Sequence, residues 1–202
     1  MLFFIVRISF FGALFILFIN FIKKSSIINK RKFCIISLII FIIILTISTL
    51  FPIENIFLTF KTPGSAYNYR YSGKVELILN GKQSSFIIGK KNNYDDGTMD
   101  IIPKIKNGWK LSYSYKVKMI KKTYFDGIVI SIYKNEDYND YYINIYDTNG
   151  GLSKINDNCN SKFVHIKETS YGGKNYYSYY AYIENFNKKY EVTIGEKTIK
   201  VK

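Results

Sequence analysis

The chain has 202 residues, 48% of them apolar, a formal charge of +14, two cysteines and one histidine. That length suits one domain, or one domain with an anchor. Two cysteines exclude a disulfide framework, and a single histidine excludes a zinc site built on imidazoles.

The composition divides sharply along the chain. From Met1 to Ile53 there is no acidic residue, whereas every Asp and Glu, and all 19 tyrosines, follow from Glu54 onward. The later part carries 23 basic against 15 acidic residues, a surplus of eight. Such a domain would attract anionic lipid, anionic wall polymer or nucleic acid. The lysines are scattered rather than blocked, and over-use of Ile, Asn, Lys, Tyr and Phe, as AT-rich coding produces, explains them equally.

Residues 2–22 form a first apolar run, interrupted by Arg7, Ser9, Gly12 and Asn20. Arg7 lies close enough to one end for its side chain to snorkel to an interface. The run has no basic segment before it and no A-x-A-like site after it, which argues against a cleaved signal peptide. A second run holds nineteen uncharged residues, Phe33 to Phe51, fourteen of them Ile, Leu or Phe. Nineteen residues at ~1.5 Å each match a hydrocarbon layer of ~30 Å. Pro52 and Glu54 are expected to end that helix. Between the runs, residues 23–32 contain five basic side chains, and the positive-inside rule places this loop in the cytoplasm. The expected organisation is therefore a transmembrane hairpin over 1–53 (spans 2–22 and 33–53), a juxtamembrane linker over 54–72 with a short helix, and an extracytoplasmic β-rich domain over 73–202. The expected localisation is the cell membrane, with the lipid bilayer as partner.

Thr62 followed by Pro63 is a helix-start signal. Strands are expected over 75–79 and 85–88 around Asn80-Gly81, over 99–102, and over 109–115 after Asn107-Gly108. In the last, alternation places Trp109, Leu111, Tyr113 and Tyr115 on one face. Val117, Met119 and Ile120 continue that strand or start another. Asp126-Gly127 introduces 128–133, and later strands fall at 141–146, 162–167, 176–183, 190–194 and 198–201. Nine or ten short strands without a long helix predict an all-β domain, an antiparallel β-sandwich or open barrel.

The run Thr62-Pro63 to Ala66-Tyr67 just after a spanning helix, the stretch Asp126-Gly127-Ile128-Val129, and Tyr182 to Asn187 near the end resemble a group of small bacterial membrane proteins. Those proteins have no assigned activity. The resemblance spans much of residues 50–202, with Gly64-Ser65 departing from an acidic pair at the helix start. It implies a topology and no chemistry.

No catalytic signature is present, and no cofactor is expected. His165 lies in an alternating stretch, six residues from Cys159, and reads as an ordinary strand residue. Asp147, Asn149 and Asp157 resemble parts of a calcium loop but lack the regular spacing and closing Glu, so Asx-rich turn chemistry accounts for them. Glu136, Asp137 and Asp140 crowd one loop and read as a solvated turn. Tyr176, Tyr177, Tyr179, Tyr180 and Tyr182 fall within seven residues. Alternation puts Tyr176, Tyr180 and Tyr182 on one face and Tyr177 and Tyr179 on the other, so one face is expected in the core. The other is a candidate binding surface for an envelope protein or polymer. No nucleic-acid motif is present, so nucleic acid is not an expected partner. The first expectation is a non-enzymatic, membrane-anchored binding or accessory module. The alternatives are an envelope hydrolase using carboxylates and a small subunit of a membrane complex.

Overall fold

A computed structural model describes residues 2–24, 30–90, 97–148, 152, 154–169, 175–187 and 189–201. Helix α1 (Leu2–Lys24) and helix α2 (Lys30–Leu50) have 23 and 21 residues, or about 34 and 31 Å of helix. Contacts of Arg7 with Phe51, Phe15 with Phe41 and Phe18 with Phe33 show that they run antiparallel. Ser37 and Thr46 return their hydroxyls to the carbonyls of Phe33 and Ile42. These polar groups are thereby satisfied within the helix. Both helices are long and apolar enough, by length and composition, to cross a membrane. The central part of the basic loop, residues 25–29, lies outside the described residues.

A 3-10 turn (Ile53–Ile56) follows, then helix α3 (Pro63–Arg70). A capping box starts α3: the Ser65 amide donates to Thr62 Oγ1 at 3.1 Å, and the Thr62 amide donates to Ser65 Oγ at 3.3 Å. Its buried face, Ala66 and Tyr67, packs with Ile87, Ile102 and Leu111.

Three antiparallel sheets make up the remainder. The first has the order β1 (Lys74–Asn80), β2 (Ser84–Lys90), β3 (Thr98–Ile105) and β4 (Gly108–Trp109). The loop expected after β2 falls mostly on residues 91–96, outside the described residues. The second sheet contains β5 (Val117–Phe125), β6 (Ile128–Asn135), β7 (Tyr141–Asp147), β9 (Val164–Thr169) and β10 (Asn175–Ile183), with β10 between β7 and β9. The third has the order β12 (Lys197–Lys200), β11 (Glu191–Ile194) and β8 (Ile155–Asp157). Asp126 and Gly127 both take positive φ, 46° and 73°. That two-residue turn matches the twist of the paired strands β5 and β6.

The central sheet is covered on both faces. On one side, Ile130, Ile132, Ile143, Ile145, Ala181 and Ile183 meet Tyr190, Val192, Ile199 and Val201 from the last strands. On the other, Tyr142 and Tyr180 meet Leu79, Phe86, Ile88 and Ile101 of the first sheet. The first core is mostly aliphatic and the second is rich in stacked rings, with Phe86 lying 5.3 Å from Tyr142 and 6.1 Å from Tyr180.

The expected strand over 109–115 is confined to Gly108–Trp109. Beyond it, the backbone of Leu111 bonds to the Asn55 side chain in both directions, at 2.8 and 2.9 Å. The chain is thus paired with the segment leaving α2, and a 3-10 turn (Ser114–Lys116) leads into β5. Trp109 and Leu111 join the core around α3, whereas Tyr113 and Tyr115 lie against Phe51.

Candidate functional site

The most distinctive constellation lies where the hairpin meets the sheets. Arg7 in the second turn of α1 donates from Nε and Nη2 to the two carboxylate oxygens of Glu54, each at 2.7 Å. Nη2 also donates to the Phe51 carbonyl at 2.9 Å. The two side chains are 4% and 1% exposed. A bidentate guanidinium-carboxylate pair is the geometry in which a buried charge is tolerated, because it supplies both countercharge and directed hydrogen bonds. The sequence reading gave Arg7 a snorkelling role and Glu54 a helix-ending one. The structure instead joins them across 47 positions. Their signal was available: in an antiparallel hairpin, a residue seven from the start and one just past the second run lie at the same end.

The turn carrying Glu54 is fixed to the sheets as well. Asn55 bonds to Leu111 in both directions, and Lys110 Nζ donates to the carbonyls of Asn55 and Leu58, both at 2.6 Å. Phe60 pairs with Trp109 through two backbone bonds of 2.9 Å. Gly108 is required there: a Cβ on it would lie 2.4 Å from the Phe60 carbonyl oxygen, and its φ is +139°. Tyr69 lies within the field of the pair, and burial, followed by the Glu54 charge, pushes its hydroxyl pKa up.

The sequence-selected residues lie elsewhere and are not gathered into one pocket. Tyr180 packs in the aromatic core and Tyr182, on the same face, donates to Asp140 at 3.0 Å. Tyr176 stacks on Tyr146 at 5.6 Å. On the opposite face Tyr179 packs against the aliphatic core and its hydroxyl bonds with Leu152, while Tyr177 is half-buried. None of the five is fully exposed; Tyr180 and Tyr182 pack toward the first sheet and Tyr179 toward the last strands.

Asp147 is fully buried at the end of β7. Asp157 accepts from the amides of Cys159 and Ser161 and from the Tyr190 hydroxyl, at 3.1, 2.7 and 2.5 Å. Asn149 lies outside the described residues. Among the described residues no group of three or more His, Cys, Asp or Glu side chains is arranged to hold a metal ion. Cys159 Sγ faces Asn158 and the Asn185 carbonyl, whereas exposed His165 sits 5.9 Å from the Tyr179 ring. Burial and the Asp157 charge push the Cys159 thiol pKa up, which favours its protonated form.

The crowded acidic loop divides in two. Glu136 and Asp137 are exposed and pair with Lys118 and Lys116. Asp140 is buried and accepts from the Lys82 and Gln83 amides, the Ser84 hydroxyl and Tyr182, at 2.7–3.2 Å. It ties the β1–β2 turn to the central sheet. Asp100 is buried too, accepting from the Ser112 hydroxyl at 2.5 Å and its neighbour's amide at 2.8 Å, with Arg70 3.7 Å away. Burial raises its carboxyl pKa, against the lowering pull of Ser112 and Arg70.

Comparison of this chain with protein-family models, with curated proteins and with solved structures finds no match.

Proposed function

We propose that this chain is an integral protein of the bacterial cell membrane that holds a β-domain outside the bilayer as a non-enzymatic binding or accessory module. The supporting observation is the Arg7–Glu54 pair. It closes the outer end of the helical hairpin and, through Asn55 and Lys110, fastens that end to the sheets. A domain held this way has a fixed attitude to its anchor, as a presenting module requires. The layered sheets fit a β-sandwich with a third layer added. The basic loop over 23–32 belongs inside, by the positive-inside rule.

The buried carboxylates support binding over hydrolysis. Asp100, Asp140 and Asp157 are each engaged by amides and hydroxyls of their own chain. The partner class that suits the domain's surplus of eight positive charges is an anionic wall polymer or an acidic envelope protein.

Thiol labelling of intact cells tests the topology, using Ser25→Cys and Lys162→Cys in a Cys34→Ser/Cys159→Ser background. Impermeant reagent is expected to label position 162 and spare position 25; the reverse pattern inverts the proposal. Retention of anionic wall polymer by the full chain in detergent tests the module reading, and no retention removes the polymer as partner.

One observation favours a second reading, a small subunit of a membrane complex. A groove of about 470 Å³ runs between the helices, lined by Phe11, Phe15, Phe18, Phe33 and Phe41 among others. Replacing the hairpin by an unrelated one that keeps Arg7 opposite Glu54 would abolish function under that reading and preserve it under the first.

A further inference from the structure

The junction carries an apolar and aromatic underside that the described chain leaves uncovered. Ile56 is 86% exposed and Phe57 64% exposed, although both belong to a turn fixed to the sheets. Phe57 shares a recess of about 340 Å³ with Val6, Arg7, Phe10, Ile53 and Glu54. Phe10 lies three residues beyond Arg7 along α1, about 4.5 Å of helix. The turn therefore brings Phe57 back alongside the apolar run.

Beside it, Tyr113 and Tyr115 stand edge-on to Phe51, with ring centroids 6.2 and 6.0 Å away. Lys116 Nζ lies 4.9 Å from the Tyr113 ring and binds Asp137 at 2.7 Å. Asp137 and Tyr138 form one wall of an open cleft of about 500 Å³, whose other lining includes Lys82, Lys104, Ile105 and Lys106. Asp137 is the one carboxylate in that lining, and it is already engaged by Lys116. Lys82 also reaches Glu184 at 2.9 Å, and Lys104 lies over the Trp109 ring.

From these contacts we infer that the underside is a lipid-surface dock. Ile56 and Phe57 enter the acyl boundary, Tyr113 and Tyr115 lie at head-group level, and the lysine cleft takes the phosphates of anionic phospholipids. The inference rests on the reading that the hairpin spans the bilayer. Lipid is the occupant because the surface continues the hairpin's own flank, at Phe51 just past α2 and beside Val6 and Phe10 on α1. Its contacts also run from Phe57 beside Phe10, through Tyr113 and Tyr115 against Phe51, to Lys116 and, by way of Asp137, the lysine cleft, a sequence of groups that suits a membrane interface.

The test uses the full chain reconstituted in phosphatidylcholine vesicles with and without phosphatidylglycerol, in the Cys34→Ser/Cys159→Ser background. Single environment-sensitive labels are placed at Ile42→Cys, Phe57→Cys, Ile105→Cys and Glu196→Cys. Spin-labelled acyl chains are expected to quench positions 42 and 57 and leave position 196 unquenched. Phosphatidylglycerol is expected to shield position 105 from aqueous iodide, an effect lost in Lys82→Gln/Lys104→Gln and at ~1 M salt, where the Debye length is about 3 Å. Quenching at 42 without quenching at 57 overturns the dock and leaves the spanning hairpin standing. No quenching at 42 removes the hairpin reading itself. Equal iodide access at 105 in both vesicle types overturns the anionic head-group assignment.

Discussion

The hairpin and the sheets put the same residue in opposite places. Ile39, Ile42 and Ile43 on α2 are each about half exposed, whereas Ile130, Ile132 and Ile143 in the central sheet have no exposed surface. The hairpin has no acid at all, while the sheet region buries Asp100, Asp140, Asp147 and Asp157. An isoleucine is stabilised by leaving water. The sheets achieve this by layering, and the hairpin achieves it only in a surrounding phase that is itself apolar, the bilayer proposed for it. Buried carboxylates are held in more than one way, since Asp100 in the sheets also has a guanidinium, Arg70, 3.7 Å away. Glu54, at their border, has a guanidinium partner, whereas Asp140 and Asp157 are held by neutral donors.

The border should be the most sensitive point. Glu54→Ala leaves Arg7 without its carboxylate, and is expected to cost about 3–5 kcal/mol in unfolding of the detergent-solubilised chain. Arg7→Met/Glu54→Met should recover most of that loss; a double variant as unstable as the single would show that the pair's charge is not what matters. Next, Ile143→Ala should cost about 2–5 kcal/mol by leaving a cavity. Ile42→Ala in the same assay should fall within about 0.5 kcal/mol. Equal costs would break the contrast between the regions.

A smaller effect should appear on titration. Because burial raises the Asp100 carboxyl pKa, the folded chain holds that proton more tightly than the unfolded one. The resulting stabilisation is complete below the ordinary value of ~3.9 and is lost as pH rises through the raised folded value. Melts from pH 4 to 7 should show a gentler decline in Asp100→Asn, which keeps an acceptor for Ser112 and cannot ionise. A steeper decline would reverse the assignment. Smallest of all, Lys82→Met, breaking the exposed pair with Glu184, should change stability by about 1 kcal/mol or less.

What could be read from sequence was local. Asp126-Gly127 announces its turn because two residues set the backbone there, whereas Asn80-Gly81 marks the end of β1 and the loop runs on to Gln83. Thr62 and Pro63 announce α3 because a cap needs only the next turn. Strand β8 went unread, since three residues, Ile155–Asp157, cannot show an alternation. Alternation from Trp109 to Tyr115 looked like a strand because it reports which side chains are buried and not what the backbone pairs with. The covers of the tyrosine strand lie beyond local reading for a related reason. Its two-residue period was legible, but its two covers come from Phe86 on one side and Val192 and Ile199 on the other, all remote in sequence. Arg7 and Glu54 met the same limit, although their shared end of the hairpin offered a cue.

The late position of β11 and β12 sets a timetable. The isoleucine face of β6 and β7 is synthesised first, and its cover, Val192, Ile199 and Val201, comes from residues made roughly 50–70 positions later. At ~5–20 residues per second, that face stays bare for about 3–14 s on the nascent chain. Throughout that interval the hairpin is already made. Any pause near the end of translation lengthens that exposure.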